Sequence, residues 1–466
     1  MHMPHIPMPH GGSAPGEPAL PNVTIDSVPA PGDPTTIGWH EFVDGGETPV
    51  LQASVPIKSS VIARAGRLAL ASGTGGYRVR QILGRISAAL GVDCRADVTL
   101  MSIDLTVTDG SKLFTEVVSL SKTGVNTERI WRIEGFVCNL ESYAQGLTVA
   151  EVHEMLDEIE SCRGRYSALQ SGIASALACG AFVFLLGGGL VEMFCAAVGA
   201  GVGQWLRKSM LERHINQFAT TMAAVAVACL LYLLVLSLLE LASPGMAALH
   251  QAGYIGAMLF VIPGFPLITS GLDIAKMDLA SGIERLVYAA CVIGVATLAA
   301  WCVAKLTTLY PADLVRADLA LPLLAALRCI ASFVGVFGFS VLFNSTPRMA
   351  ATAGCIGALA NTARLELVDL ASMPPEAAAL TGALIAGLLA SVVGPRVRVP
   401  RISLTVPSIV IMVPGLYLYE AMYYMCDFDV VTAMGWGMRA VVVIVCLPIG
   451  LALARVLTDK NWRYDT

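Results

Sequence analysis

VIPGFPLITSGLDIAKMD (residues 261–278) and MVPGLYLYEAMYYM (residues 412–425) each place a Pro-Gly pair inside an apolar run long enough to cross a membrane. Proline in a helix interior removes a hydrogen bond and costs about 3 kcal/mol. In lipid the freed backbone groups have no water to turn to, so a break persists only where protein or a wet cavity receives it. Two such breaks, Pro263-Gly264 and Pro414-Gly415, at corresponding places in two halves of one chain point to a binding site near the membrane midplane.

The surrounding composition agrees. Of 466 residues, 55% are hydrophobic and 14% charged, with a mean hydropathy of +0.68; a soluble chain carries roughly 25% charged residues. Up to about Ser167 the sequence is ordinarily polar, and from Gly172 to Leu457 it is a succession of apolar stretches. Ten membrane segments are predicted near 169–187, 190–206, 217–240, 253–273, 284–306, 318–343, 347–362, 376–393, 404–425 and 437–457. With the polar part inside, the cytoplasmic flanks and loops hold fourteen Lys and Arg and the opposite side four: Lys305, Arg316, Arg364 and Arg439. That asymmetry is what the positive-inside rule requires of ten spans with both termini cytoplasmic, in the cell's inner (plasma) membrane. A net charge of −5 gives no ground for a nucleic-acid partner.

Four regions follow. Residues 1–50, rich in Pro, Gly and His, read as a disordered tail without a signal peptide; His2, His5 and His10 in it are read as incidental. Residues 51–168 read as a cytoplasmic α+β domain, with helices at 60–70, 79–90, 127–144 and 148–162. Strands are expected at 97–107 and 113–120 about the turn Asp109-Gly110, and a Thr148/Glu151 capping box should start the last helix. Residues 169–310 and 311–466 read as two five-helix units: Gly180 and Gly199 match Gly335 and Gly354 at one offset, and Pro263, Gly264 and Asp278 match Pro414, Gly415 and Asp429 at another. Five is odd, so tandem units lie in opposite orientations, the inverted-repeat plan of many secondary transporters. Small residues such as Gly199, Gly201 and Gly203 let helices approach closely, and this second segment could serve a homo-oligomer interface. The twelve cysteines follow no disulfide or metal spacing.

These two strings, with RVRQILGRISAALGV and TEVVSLSKTGVNTERI in the polar part, resemble the threonine/serine exporter family over nearly the whole chain after residue 50. The fused arrangement is similar to the amino-acid exporter; in some relatives the two units are separate proteins, including a two-subunit exporter associated with succinate. The resemblance implies efflux of threonine and serine driven by the proton gradient. The motif positions it carries over are Pro263, Gly264, Pro266, Leu267, Asp273 and Asp278.

A zwitterionic solute needs donors for its carboxylate, acceptors for its ammonium and a titratable group for a coupled proton. Exposed helix ends at a break supply donors and acceptors without formal charge. Pro263 to Asp278 adds the hydroxyls of Thr269 and Ser270 and the carboxylate of Asp273, and Pro414-Gly415 is followed by Tyr417. Glu420 lies six residues beyond Pro414, about 9 Å along a helix. An ionisable group within a span is a functional hypothesis by default, so Glu420, Asp273 and Asp278 are the proton-coupling candidates. Arg328, near mid-depth in the sixth segment, could bind a carboxylate or pair with an acid; Glu192 and Glu240 read as interfacial.

Gly73-Thr74-Gly75-Gly76 resembles a phosphate loop only superficially, since no Gly-x4-Gly-Lys-Ser/Thr string exists, and it reads as a turn between helices. No HExxH or GxSxG string suggests a hydrolase. No cofactor or metal is implied. The alternatives are a dicarboxylate exporter, a passive small-solute channel and a membrane scaffold.

Overall fold

A computed structural model describes residues 46–162, 164–311 and 319–463. The tail's histidines, Arg163 and Arg316 lie outside them.

The N-terminal unit packs helices on one face of an antiparallel three-stranded sheet. Its helices are α1 (Val55–Ala71), α2 (Gly76–Ala89), α3 (Thr127–Tyr143) and α4 (Val149–Ser161), and its strands are β1 (Asp93–Val98), β2 (Ser102–Thr108) and β3 (Leu113–Ser119), in the order β1-β2-β3. Period-two burial on β2 sends Ile103, Leu105 and Val107 onto Ile62, Leu83 and Ile86, and this core is separate from the one farther along the chain. The stretch 97–107 is two strands rather than one. Thr99 turns the chain, its Oγ1 accepting from Met101 N and Ser102 N, and Asp97 pairs back on Asp104. The Thr148/Glu151 capping box forms as expected.

The rest is helical: α5 (Ala168–Leu185), α6 (Leu190–Glu212), α7 (Gln217–Ala242), the short α8 (Met246–His250) and α9 (Tyr254–Met258), α10 (Gly264–Ala275), α11 (Leu279–Leu306), α12 (Leu321–Leu342), α13 (Pro347–Ala371), α14 (Pro375–Val397), α15 (Arg401–Val410), α16 (Gly415–Cys426), α17 (Val430–Thr458) and α18 (Lys460–Arg463). Six of these are long and apolar enough to cross a membrane. The count is eight if the bent pairs Gln251–Val261 with α10 (57°) and α15 with α16 (53°) are each one span. This is a polytopic membrane protein. Helices α6 and α13, with 23 and 25 residues, have the length to span but are more polar. Some of their acidic groups find partners inside: buried Glu192 accepts from His250 Nδ1 at 2.7 Å, and Glu366 of α13 pairs with Arg328 at 2.9 Å.

The glycines of α6 are spent within the chain. Gly199 faces Ala228 and Ala257, Gly201 faces Ala176, and Gly203 faces Phe260 and Ala224. Their closeness serves the chain's own helix packing.

Loops of the helical part that touch the N-terminal unit define a near side. His214 bonds Lys122, Asp278 pairs with Arg80, Phe343 O accepts from Thr127 N, and Arg398 O accepts from Trp131 Nε1. The other helix ends define a far side.

Candidate functional site

The backbone at the two breaks is nearly superimposable. Pro263 has φ −80° and ψ 63°, and Pro414 has φ −82° and ψ 60°. These are inverse γ-turn angles, and the matching bonds are present: Gly264 N to Ile262 O and Gly415 N to Val413 O, both 2.8 Å. The γ-turn gives the proline carbonyl and the following N–H new geometry without leaving either to lipid. Pro266 then falls in the first turn of α10, where a helix has no N–H bond to lose. The likeness continues downstream. Met277 (φ 59°) and Phe428 (φ 60°) both take the left-handed conformation, one residue before Asp278 and Asp429, which open α11 and α17.

The breaks face one another. A Cβ on Gly264 would collide with Val410 and press on Val413; one on Gly415 would lie 2.8 Å from Leu259 and 3.4 Å from Ile262. Contacts across the pair are reciprocal: α9 meets α16, α10 meets α15, α10 packs on α17 and α11 on α16. Phe182 and Phe339 meet edge-on over the junction with centroids 6.4 Å apart, and the cavity they enclose with both breaks is only about 10 Å³ and is lined by apolar side chains and the two glycines. A space that small and apolar holds no water. The junction is a dry seal.

A vestibule opens on each side of the seal. The far-side one is about 560 Å³; it reaches Pro414 and Gly415 and is lined by Tyr417, Glu420, Trp436, Arg364 and Arg439. Glu420 is buried, and Tyr417 is within electrostatic reach of Arg364, Arg439 and Glu420. The near-side cavity is about 190 Å³ and is lined by Thr269, Asp273, Arg401, Arg455 and Trp462. It adjoins a groove of about 1570 Å³ between α3 and the α14–α15 turn, sharing Glu134, Pro400 and Arg401 with it.

The expected residues therefore divide. Pro263, Gly264, Pro414 and Gly415 form the seal; Tyr417 and Glu420 face the far vestibule; Thr269 and Asp273 face the near one. Ser270 is buried with its hydroxyl donating to Leu267 O at 2.8 Å, and Thr269 likewise bonds Phe265 O at 3.0 Å. Pro266 lines a small separate cavity against Gly73 and Arg285. Arg328 lies apart from both vestibules, held by Glu366 and Asp369 of α13. Of the two roles open to it in the sequence, the structure displays the ion pair.

Asp273 and Asp278 have a relation that sequence reasoning missed. They receive the Gly73–Gly76 loop, whose two glycines at the start of α2 approach them directly. Gly76 N donates to Asp273 Oδ2 at 3.0 Å, Ser281 Oγ donates to the same oxygen at 3.3 Å, and Arg285 pairs with it at 3.3 Å. Arg285 also donates to Thr74 O at 2.7 Å, and Arg80 pairs with Asp278 at 2.5 Å. A Cβ on Gly75 would strike the Asp273 carboxylate, and one on Gly76 would lie 2.6 Å from Asp278 Oδ2 and Ser281 Oγ. A carboxylate at a helix N-terminus is favoured by the free N–H groups and the helix dipole. The loop is thus a docking surface, and its glycines are there for close approach. The linker to α5 is pinned to the same unit by Arg165 on Glu128 (2.7 Å); that contact, opposed by burial and helped by Arg132, holds the Glu128 carboxyl below its usual range.

Three further groups escaped the sequence reading. Arg364, counted there as a far-side loop charge, lines the far vestibule seven residues, about 10 Å, from the end of α13. Glu192 is fully buried against His250 rather than interfacial. Tyr254 and Tyr419 join hydroxyls at 2.6 Å across the two broken spans. Only the polarity of α6 and α13 signalled the first two.

Two opposed broken spans, a dry seal and a vestibule on either side define a multi-pass membrane protein built around a central, closed passage. A model described as "Putative threonine/serine exporter" matches residues 60–307, and a second, "Threonine/Serine exporter, ThrE", matches residues 328–457. The chain belongs to the threonine/serine exporter family, a family of membrane transporters, and joins its two units in one polypeptide. It is similar to the "Probable succinate transporter subunit YjjP" of Escherichia coli (strain K12), 24% identical over 247 residues, which is 51% of this chain and 91% of the relative. The protein of the same description from Klebsiella aerogenes is 24% identical over 212 residues, 44% of this chain and 77% of the relative. No solved structure matches the chain.

Proposed function

We propose that the chain is a proton-coupled secondary exporter of threonine and serine, built from ten spans as two inverted five-helix units, with the N-terminal unit and both termini in the cytoplasm. The observation that carries this is the sealed junction of Pro263-Gly264 against Pro414-Gly415 with separate vestibules on its two sides. A passage closed in the middle, with a cavity on each side of the closure, is an arrangement that an alternating-access cycle passes through. Rocking one unit against the other about the breaks would narrow the larger, far vestibule and widen the near one. Ten crossings are supported by the near-side contacts, which fall on every second helix connection, and by the matched angles at the two breaks. The groove beside α3 would admit solute from the cytoplasm. Glu420 and Asp273, on opposite sides of the seal, would carry the proton.

A dicarboxylate exporter is the second reading, favoured by two arginines, Arg364 and Arg439, in one vestibule and by the description of the relatives. Purified protein in liposomes, with threonine, serine and succinate tested under an imposed pH gradient, separates the readings. Gradient-dependent threonine and serine flux is expected. Equal rates with and without the gradient would remove coupling, and flux of succinate alone would replace the substrate.

A further inference from the structure

The geometry assigns a carboxylate-binding site to Arg364 in the far-side vestibule; the assignment rests on the transport reading above. Arg364 lies on α13, and its side-chain stem passes where Gly382 of α14 leaves room: a Cβ there would come 3.2 Å from Arg364 Cβ and 3.1 Å from Met412 Sδ. That places the arginine beside the residues leading into the Pro414-Gly415 break. Its Nε is buried and unbonded, and among the described residues Arg364 has no ion-pair or hydrogen-bond partner. Its acidic neighbours along the helix, Glu366 and Asp369, are engaged by Arg328. The other arginine of the vestibule, Arg439, stacks on Trp436 at 5.1 Å.

An unpaired guanidinium inside a membrane protein is a functional group by default. Its planar fork matches a carboxylate in two parallel hydrogen bonds. The start of α16 at Pro414-Gly415 opens into the same cavity and adds the positive end of a helix. Glu420 lies one and a half turns farther along α16 and lines the same cavity, so a solute held at Arg364 by its carboxylate presents its other end toward Glu420. An ammonium is favoured there over a second anion.

The test uses threonine counterflow in liposomes, competed by threonine, by threoninol, which lacks the carboxylate, and by succinate. In the unaltered protein threonine should compete at least tenfold better than threoninol. R364Q should raise the half-saturation concentration for threonine tenfold or more with a much smaller fall in maximal rate. R364K, which keeps charge but loses the fork, should fall between. Threoninol competing as well as threonine, or an unchanged half-saturation in R364K and R364Q, overturns the assignment. If R364Q does not fold, R364K decides alone. If succinate displaces threonine most strongly, the carboxylate site stands and Glu420 does not select its second group. If the unaltered protein moves none of the three, the transport reading fails. The site is then judged by thermal shift: stabilisation by succinate that is lost in R364K supports it, and equal shifts in both proteins overturn it.

Discussion

At the scale of single residues, the sharpest arrangement is the clasp between the Gly73–Gly76 loop and the pair Asp273 and Asp278. Asp273, Asp278 and Arg285 are all buried, with exposures of 3%, 5% and 2%. Removing one partner of a buried ion pair leaves the other uncompensated, a loss of about 3–5 kcal/mol. D273N should therefore lower the unfolding midpoint strongly, and G76A should do so less, since overpacking costs about 1–3 kcal/mol. Thermal unfolding of the purified protein measures both. The same variants separate docking from proton coupling at Asp273. If the carboxylate carries the proton, D273N abolishes the response of flux to a pH gradient while R285Q, slower but intact in kind, keeps it. Parallel loss in both variants would leave Asp273 a docking residue only. The sequence showed the aspartates and the glycines as two unrelated features. Their partnership spans about two hundred positions, and no local pattern encodes a contact at that separation.

At the scale of elements, what the sequence made legible was whatever proline and glycine dictate locally. Pro263 and Pro414 end one helix and start the next because neither can donate to a continuous ladder, and both breaks are readable in the sequence. So were the capping box of α4 and the apolar spans with few charges. Less legible were the split of 97–107 into β1 and β2, where the turn at Thr99 lacks glycine and proline, and the paired charges of α6 and α13. In those helices internal partners such as His250 and Arg328 make tolerable what hydropathy alone counts against a span. The seal depends on the absence of a side chain at two positions. G415A would push a methyl to 2.8 Å from Leu259, and G264A would drive one into Val410. Each should slow transport severalfold, and G264A, whose position lines the seal and not the far vestibule, should leave solute binding there nearly intact, because its methyl jams the passing of the breaks rather than the cavity wall. Counterflow rate against binding affinity in the same preparation makes that comparison; equal losses of both would mean the breaks serve as binding surface instead.

At the scale of the whole molecule, the N-terminal unit ties the helical part together. It contacts the α6–α7 turn through His214, the α10–α11 turn through Asp278, the α12–α13 turn through Phe343 and Ser345, and the α14–α15 turn through Arg398. Every second connection is thus collected on one face, while on the other face Lys305 of α11 reaches Asp427 at 2.6 Å, beyond the end of α16. If each intervening helix or broken pair crosses the bilayer once, all four of those turns and the C-terminal helix α18 must share a compartment, and the turns at Gly187–Gly189, Ser243–Gly245 and Ser372–Pro374 must share the other. Single cysteines placed at these turns in a cysteine-free background, labelled in intact cells with a membrane-impermeant maleimide, measure this directly. Labelling is expected at the second set and not at His214 or Arg398 until the membrane is opened. Labelling of His214 but not Arg398, or the reverse, would mean that an odd number of crossings separates them. In that case α13, the polar helix that lies between those two turns, would be the segment that fails to span, and the two breaks could no longer approach the seal from opposite sides of the bilayer.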